Sequence, residues 1–347
     1  MLNSRREFLK AAATTATLSA VPAAGAAPLR WSPGISSSQI VQLFKRLPGD
    51  LALSIYAPAV GGRSLRVRYN SSKMLFVASA FKAYALCEAL RQIDSPDVVH
   101  TLETTPLTLD VNIWSPGSPS FNPPNLTGTV FERATMEAMI TSSDNTATDM
   151  IMKLAGVNNI REFVSSIGLT QTLIPDSTRA FGAYLFGAPD YLTITWYDLL
   201  DYIENVAKGM TVHPFLNNVE TLASSADDFV SFYSRALTGA FFQHPETLNE
   251  FQRILTLCDF IYLVPLPTGV SAYAKSGNAD TTDFHARSFA GGMFVANRWV
   301  FFAFILNWYT KDASDPDTVN SFFAAINQSL TIVRDSLSSD RQLGCWL

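Results

Sequence analysis

The chain of 347 residues contains few of the side chains that build metal sites or disulfide frameworks. Its three cysteines, Cys87, Cys258 and Cys345, permit at most one intramolecular disulfide, and its four histidines show no zinc-ligand spacing. We therefore expect no metal and no other cofactor. Cys87 and Cys258 lie in apolar sequence and are predicted to be buried thiols, whereas Cys345 is predicted to be a free or intermolecular thiol.

Strong charge and long apolar runs are also missing. Only 16% of the residues are charged, the formal net charge is −5, and there is no basic cluster outside the extreme N-terminus. Nucleic acid is therefore not an expected partner. The apolar run at 11–21 is too short to cross a bilayer, and we expect no membrane span in the mature chain. The 48% of hydrophobic residues predict a compact globular protein, which we expect to be a monomer.

The N-terminus has the composition of an export signal. Arg5 and Arg6 precede a mildly apolar segment, and small residues follow at 24–26. This pattern predicts a twin-arginine signal peptide over residues 1–27, and hence a periplasmic or secreted protein. The alternative is an ordinary amphipathic first helix, but the apolar run shows no helical alternation.

Three short motifs follow one another along the chain: Ser79-Ala80-Phe81-Lys82, Ser143-Asp144-Asn145 and Lys275-Ser276-Gly277. On a helix, Ser79 and Lys82 project from one face, so their side chains can touch. A lysine amine can take the proton of a serine hydroxyl only when the amine is neutral. This requires a pKa lowered from about 10.4 to about 7 to 8, through burial and a nearby cation such as Lys275. The first motif thus predicts an activated nucleophile.

Each motif also has an ordinary structural interpretation. Taken alone, Ser143-Asp144-Asn145 is a good helix-capping sequence, with Asp144 tying the turn. Lys275 could equally be a solvated lysine on an edge strand before a turn glycine. The order and separation of all three motifs favour a single cleft that contains a nucleophile, a hydroxyl relay and a cationic strand.

The motifs and the order of the elements around them resemble the class A serine β-lactamases and their penicillin-binding relatives over most of the mature chain. The resemblance implies an α+β fold, a five-stranded antiparallel sheet flanked by helices, with an inserted all-helical lobe. It implies a sheet lobe from residues 28–75 and 260–347. The helical lobe would be 76–259, carrying the nucleophile helix, the second motif and an Ω-like loop.

The resemblance also implies the role of each site residue. Ser79 would be acylated, with Lys82 as its base and Ser143 relaying a proton to the leaving nitrogen. Asn145 would hold the substrate amide, while Lys275 and Ser276 would bind a substrate carboxylate. The backbone N–H groups of Ser79 and Asn278 would form the oxyanion hole.

Two further residues are weaker candidates for substrate binding. Arg287, on the strand after the third motif, is a candidate second contact to the carboxylate. Trp114, in a Trp-Ser-Pro segment, either walls the cleft or packs in the core. The expected substrate is a small-molecule β-lactam or an acyl donor resembling a peptidoglycan peptide.

One departure from the family pattern concerns hydrolysis. Class A β-lactamases carry a loop glutamate that activates the deacylating water, but residues 174–184 contain no glutamate. An ungapped alignment from residue 167 puts Thr178 at that place, and counting from Arg179 puts Phe181 there. Glu220 is a remote acid that either folds back toward the site or, as we expect, pairs with Arg179.

Three functions stay open on this sequence. The first is an exported β-lactamase-like acyl-serine hydrolase of the kind that confers antibiotic resistance. The second is a DD-peptidase, an esterase or a slowly deacylating penicillin-binding protein. The third is a non-catalytic binding protein on the same fold.

The local patterns predict the remaining elements. We expect a buried helix from Ser79 through Leu90 and strands over 285–295 and 299–308. Residues 105–130 are rich in proline, serine and asparagine and predict a surface loop, and 170–190 are predicted to be irregular.

Overall fold

The computed structural model describes residues 37–59, 64–264, 266–281, 283–311 and 315–344; the predicted signal at 1–27 and Cys345 lie outside them. Five antiparallel strands form the central sheet, in the order β2-β1-β9-β8-β7. This confirms the predicted fold class. The strands are β1 (Asp50–Ala57), β2 (Leu65–Tyr69), β7 (Ser271–Asp280), β8 (Phe284–Val295) and β9 (Arg298–Tyr309).

One face of the sheet is covered by helices from the two ends of the chain, α1 (Ser37–Phe44) and α12 (Pro316–Gly344). The Phe44 ring stacks on Phe304 of β9 with ring centroids 5.6 Å apart, and it meets Phe322 edge to face. Such aromatic pairs add stabilisation beyond the area that they bury. The terminal helices therefore hold β1 and β9 together at the centre of the sheet.

The other face of the sheet packs against the elements between β2 and β7. Tyr84, on the helix that follows Ser79, is fully buried and stacks on Phe229. The elements are β3 (Leu75–Phe76), α2 (Lys82–Gln92), α3 (Val98–Thr104), β4 (Pro106–Leu109), β5 (Gly128–Phe131), α4 (Glu132–Thr141), α5 (Asn145–Ala155), α6 (Val157–Ser166), α7 (Thr178–Leu185), α8 (Trp196–Asp201), β6 (Ala223–Ser224), α9 (Ala226–Ala236), α10 (Pro245–Thr256) and α11 (Phe260–Leu263).

The segment predicted as a surface loop at 105–130 is more ordered than its composition indicated. Its two ends pair as β4 and β5, and its middle buries Trp114, Ser115 and Phe121. The prediction was wrong because proline and serine mark turns, and turns can be buried where their polar groups are satisfied. Here Ser115 N donates to Thr146 Oγ1 at 2.9 Å.

The segment at 170–190, predicted to be irregular, contains helix α7. Ser177 caps it, since its hydroxyl accepts a hydrogen bond from Ala180 N at 2.9 Å. A serine followed by eight residues without proline is the ordinary start of a short helix, and the prediction gave too much weight to the glycines and prolines on either side.

Cys87 and Cys258 are free buried thiols, as predicted. Among the helices that the structure describes, none is long and apolar enough to cross a membrane.

Candidate active site

The candidate nucleophile lies in a tight turn between β3 and α2. Residues Ala78–Phe81 form a single 3₁₀ turn, and Ala78 has a positive φ of 46°, which is costly for a residue with a Cβ. The strained backbone is held from both sides, because Val77 N donates to Leu222 O and Val77 O accepts from Ser288 Oγ at 2.6 Å. The half-buried Ser79 side chain thus sits on a fixed backbone.

Lys82 is fully buried one turn after Ser79. Its Nζ lies within hydrogen-bond distance of the Ser143 carbonyl at 2.6 Å, the Asn145 side-chain oxygen at 2.7 Å and the Ser143 hydroxyl at 3.2 Å. Burial lowers the pKa of Lys82 well below its usual value, and the positive charge of Lys275 lowers it further. This is the direction required of a lysine that accepts a proton near neutral pH.

Lys275 approaches the same hydroxyl from the sheet. It is fully buried on β7, and its ammonium lies 3.1 Å from Ser143 Oγ and 3.0 Å from the Ser276 carbonyl. The Ser143 hydroxyl therefore lies between two lysine amines that come from different elements. Ser143 has a φ of 58°, so the turn that presents this hydroxyl is in the left-handed region.

The turn that carries Ser143 is fixed by its two neighbours. Asp144 caps α5 by accepting from Ala147 N at 2.8 Å, and it also accepts from Ser120 N and Phe121 N. Asn145 orients its amide by donating to Pro116 O at 2.7 Å while its oxygen accepts from Lys82. The capping interpretation of this motif is therefore right for Asp144, and it coexists with the contacts of Ser143 and Asn145 to Lys82.

Gly277 brings strand β7 against the nucleophile turn. A Cβ at this position would lie 2.1 Å from Val77 O and 2.8 Å from Ala80 N, distances that no side chain can occupy. The glycine thus lets two backbones touch. As a result, the next residue, Asn278, lies beside the turn that carries Ser79.

Ser276 is almost fully buried, and the Cys258 thiol lies 3.8 Å from its hydroxyl. This proximity was not predicted, because the two residues are eighteen apart and no periodicity links them. Cys258 fills space behind the third motif.

The two weaker candidates for substrate binding are nearly buried. Trp114 is buried and meets Trp196 edge to face with ring centroids 6.1 Å apart, so the packing alternative describes its position. Arg287 is 7% exposed, and its guanidinium forms a bidentate pair with Asp280, with distances of 2.7 and 2.9 Å. Both side chains thus have partners within the protein, and the substrate contacts expected of them stay predictions.

On the loop side of the site, Thr178 is tied to a buried carboxylate. Asp149 accepts from Thr178 N at 2.7 Å, from Thr178 Oγ1 at 2.8 Å and from Arg179 N at 3.1 Å. The Thr178 hydroxyl also lies 2.8 Å from Ser115 Oγ and 3.3 Å from Asn145 O. The two alignments of the loop put either Thr178 or Phe181 at the position of the family glutamate. Thr178 is the one that lies beside the second motif.

Asp149 itself was missed by the sequence analysis. It follows Asn145 by four residues and so lies on the same face of α5, which is a signal that the motif search could have used. Burial raises the pKa of Asp149, while its three donors act in the opposite direction. Its oxygens are occupied in holding the loop.

Glu220 does not pair with Arg179. Its carboxylate accepts from Asp176 N at 3.0 Å, and Asp176 pairs with Arg161 at 2.8 Å. Arg179 instead donates to the carbonyls of Trp114 and Asn112. The expected pair of Glu220 with Arg179 does not form, because Arg179 donates its hydrogen bonds to backbone carbonyls. Such carbonyls are uncharged and cannot be recognised as partners from the sequence. Burial raises the pKa of Glu220 to about 7.

No group of three or more histidine, cysteine or acidic side chains among the described residues could hold a metal ion.

Comparison with known protein families agrees with this geometry. A model described as "Beta-lactamase enzyme family" matches residues 36–326, which is most of the chain. The chain belongs to the beta-lactamase enzyme family. Together with the fold, this membership indicates a serine hydrolase of the class A β-lactamase type. A search of curated proteins gave no match.

Solved structures share the fold at low sequence identity. A class A β-lactamase from Bacteroides cellulosilyticus has 17% identity and a TM-score of 0.61, covering 85% of this chain and 96% of its own. The penicillin-binding protein PBP-A has 18% identity and a TM-score of 0.62, covering 87% and 96%. A β-lactamase from Sphaerobacter thermophilus has 16% identity and a TM-score of 0.63, covering 86% and 98%. Class A β-lactamases and PBP-A thus share one architecture with this chain.

Proposed function

We propose that this family member is an exported acyl-serine hydrolase whose Ser79 is acylated by a β-lactam or a related amide or ester. The observation that carries the proposal is the Ser143 hydroxyl, which lies 3.2 Å from Lys82 Nζ and 3.1 Å from Lys275 Nζ. Two buried amines on one hydroxyl cannot both hold a full charge cheaply, and their mutual repulsion favours a neutral Lys82.

Acylation begins with proton transfer from Ser79 to Lys82. The neutral Lys82 amine takes the hydroxyl proton while Ser79 Oγ bonds to the acyl carbon. Negative charge then develops on the former carbonyl oxygen, between the backbone N–H groups of Ser79 and Asn278. One such donor contributes about 3 to 4 kcal/mol to transition-state stabilisation in comparable sites.

Departure of the leaving group uses the hydroxyl between the lysines. Ser143 donates its proton to the leaving nitrogen and recovers one from the Lys82 ammonium, with which it shares a hydrogen bond. Lys275 keeps this hydroxyl oriented. The net result is one acyl–oxygen bond formed, one acyl–nitrogen bond broken and one proton moved from Ser79 to the nitrogen of the leaving group.

Substrate binding falls to three further groups. Lys275 and Ser276 supply a positive charge and a hydroxyl for a substrate carboxylate, and Asn145 holds the substrate amide. A β-lactam and a peptidoglycan-like peptide both present this combination of amide and carboxylate. The signal peptide proposed for residues 1–27 would deliver the enzyme to the compartment that contains such substrates.

Slow release of the acyl group is the second candidate function, and the position of Thr178 favours it. The Thr178 hydroxyl and the Asp149 carboxylate are hydrogen-bonded to each other, and no carboxylate of a described residue hydrogen-bonds Lys82. One relative, a leucine-to-glutamate mutant of PBP-A, was solved as an acyl-enzyme complex with penicillin G. A penicillin-binding protein that acylates quickly and releases slowly would need no better water activation than this loop provides.

Covalent labelling tests the proposal. The mature protein should take up one fluorescent penicillin per chain, and peptide mapping should find it on Ser79. Ser79→Ala should abolish labelling, while the matched variant Ser142→Ala, one residue before Ser143, should retain it. Labelling that survives in Ser79→Ala would exclude this nucleophile.

A further inference from the structure

Arg287 has a geometry that the predicted role as a carboxylate contact does not explain. It lies on β8 directly opposite Asn278 of β7, in the register that also pairs Asp280 with His285. The inference drawn below rests on the proposed function, because Asn278 matters through its N–H group in the oxyanion hole.

The charge of Arg287 is already neutralised within the protein. Its Nη2 donates to Asp280 Oδ2 at 2.7 Å and its Nη1 to Asp280 Oδ1 at 2.9 Å, and the two side chains are nearly buried. Bidentate pairs of this kind are strong and have a fixed geometry. A substrate carboxylate would have to displace Asp280 in order to bind the guanidinium.

The same guanidinium bonds to one backbone carbonyl just beyond Asn278 and to one on its own strand. Nη1 also donates to Ala279 O at 3.2 Å and to Ala286 O at 2.8 Å. Strand β7 is at the edge of the sheet and pairs only with β8 within it, so its other side lacks a ladder. Through Ala279 O and the Asp280 carboxylate, Arg287 therefore adds cross-strand bonds at the point where the edge strand ends.

The partner carboxylate is fixed from a second direction. His285 Nδ1 lies 2.8 Å from Asp280 Oδ1, and the fully buried imidazole stacks on Trp308 of β9 with centroids 5.1 Å apart. Arg287 lies over the same indole, at 5.7 Å. Three strands thus contribute to one closed cluster, which we call the Asp280 cluster: Asp280, His285, Arg287 and Trp308.

We propose that Arg287 is a positioning residue, which together with Asp280 and His285 fixes the end of β7 that presents the Asn278 N–H, and that it does not bind the substrate carboxylate. Gly277 allows the strand to touch the nucleophile turn, and the Asp280 cluster prevents it from moving away. Specificity for a carboxylate then rests on Lys275 and Ser276.

Two acyl donors that differ only in the carboxylate separate the two roles: a penicillin and its methyl ester. Acylation rate constants at saturating donor are measured for the wild type, Arg287→Lys and Asp280→Asn by quenched-flow mass spectrometry. The positioning role predicts that both variants acylate at least about 10-fold more slowly with both donors, since small misplacements of reacting groups cost up to about 100-fold. The ratio between the donors should stay within about 2-fold of the wild type.

A carboxylate-binding role predicts the opposite for Asp280→Asn. Removing Asp280 would free the Arg287 charge, so the penicillin would react at least as fast as in the wild type and the ester would not change. That result would overturn the proposal. The ratio of the two acylation rates does not depend on how much of a variant is folded. The matched control is Arg66→Lys on the opposite edge strand β2, whose acylation rates should be unchanged.

Hydrogen exchange of the full mature chain separates failure of this inference from failure of the proposed function. In Arg287→Lys, the amides at 278–281 should exchange at least about 10-fold faster, because local opening sets exchange rates, while those of β9 keep their protection. Unchanged exchange at 278–281 would overturn the positioning role, whether or not the donors label the wild type. Absence of labelling of the wild type would by itself refute only the acylation chemistry.

Discussion

The two sides of Ser79 differ in what their polar groups are free to do. On the lysine side, Lys82, Ser143 and Lys275 form a hydrogen-bonded chain, in which the Ser143 hydroxyl lies between the two amines. On the loop side, Thr178 and Asp149 are bonded to each other and to the loop backbone. The lysine side is arranged for chemistry, and the loop side is arranged for rigidity.

Acylation and release therefore depend on separable parts of the site. A carboxylate with three donors has few lone pairs left with which to orient a water molecule. The proposed acylation uses no group from the loop, because the proposed base, relay and N–H donors all come from other elements. A chain can therefore lose fast hydrolysis and keep its reaction with the acyl donor.

Removing the lysine base should have the largest effect. Lys82→Met should reduce the acylation rate by about 10³- to 10⁴-fold, the upper range for a general base, and Lys82→Arg should be equally inactive because arginine stays protonated. Since the pKa of Lys82 is lowered, the wild-type rate should rise with pH and reach its plateau well below pH 10.4, the ordinary lysine pKa. A pH profile of stopped-flow acylation checks this. A rate that keeps rising up to about pH 10.4 would argue against Lys82 as a base with a lowered pKa.

Separating β7 from the nucleophile turn should have the next largest effect. Gly277→Ala places a Cβ 2.1 Å from Val77 O, so the strand must shift by about 1 Å and acylation should fall by about 100-fold. The measurement is the acylation rate, together with thermal unfolding to confirm a folded protein. The control is Gly269→Ala, in the turn before β7, where a Cβ meets nothing within 4 Å but the positive φ still adds strain. Equal loss of acylation in the two variants would show that strain, and not the close approach, is responsible.

Placing a carboxylate on the loop side of the site should accelerate deacylation, which is the slow step. The double variant Thr178→Glu/Asp149→Asn places a glutamate at the loop position and removes the buried negative charge that would repel it. Deacylation should accelerate by about 10- to 100-fold, below the full range for a general base because the new side chain is not fixed by its surroundings. Acylation should change little.

The matched control for the double variant is Thr178→Gln/Asp149→Asn. It has the same shape without the base, and its deacylation should stay slow. Decay of the acyl adduct by intact mass measures both variants. Equally fast decay in the glutamine control would assign the effect to a loosened loop.

Glu132 is a buried carboxylate that lacks, within the described part of the chain, hydrogen-bond donors like those of Asp149. Replacing it should have the smallest effect, and this effect should be on stability alone. Glu132 is 1% exposed, its Oε1 has no hydrogen-bond partner among the described residues, and burial raises its pKa to about 7 from an ordinary 4.5. The native state therefore holds this proton more tightly than the unfolded state does. Stability is thus lost as pH rises from about 4.5 to about 7, and the loss is complete above that range.

Glu132→Gln should remove this loss. The variant should be more stable than the wild type at pH 8, by at most about 3 kcal/mol, with no gain at pH 4. Urea unfolding at the two pH values measures it. A gain of the same size at both values would mean that ionisation of Glu132 is not the cause.

The sequence predicted the parts of the site that are local. Ser79 and Lys82 are three residues apart, and Ser143, Asp144 and Asn145 cap one helix, so their spacing alone indicates their geometry. The sheet was equally predictable, because β8 and β9 are long apolar strands separated by a two-residue turn.

Contacts between distant elements were not predictable. Arg179 could bond to an acid or to carbonyls, and only the fold shows that it reaches Trp114 and Asn112. The pairing of Arg287 with Asp280 requires the register of β7 and β8, and the packing of Trp114 requires the position of Trp196. Propensity and spacing contain no information on such partners.

The most direct test of the difference between the lysine side and the loop side follows product formation and the acyl adduct in the same experiment. The mature protein is mixed with a chromogenic cephalosporin, while colour and intact mass are recorded over hours. We expect a single burst of colour with a lasting adduct on Ser79. Sustained colour with little adduct would contradict it, because the loop side would then activate water as well as the lysine side activates serine.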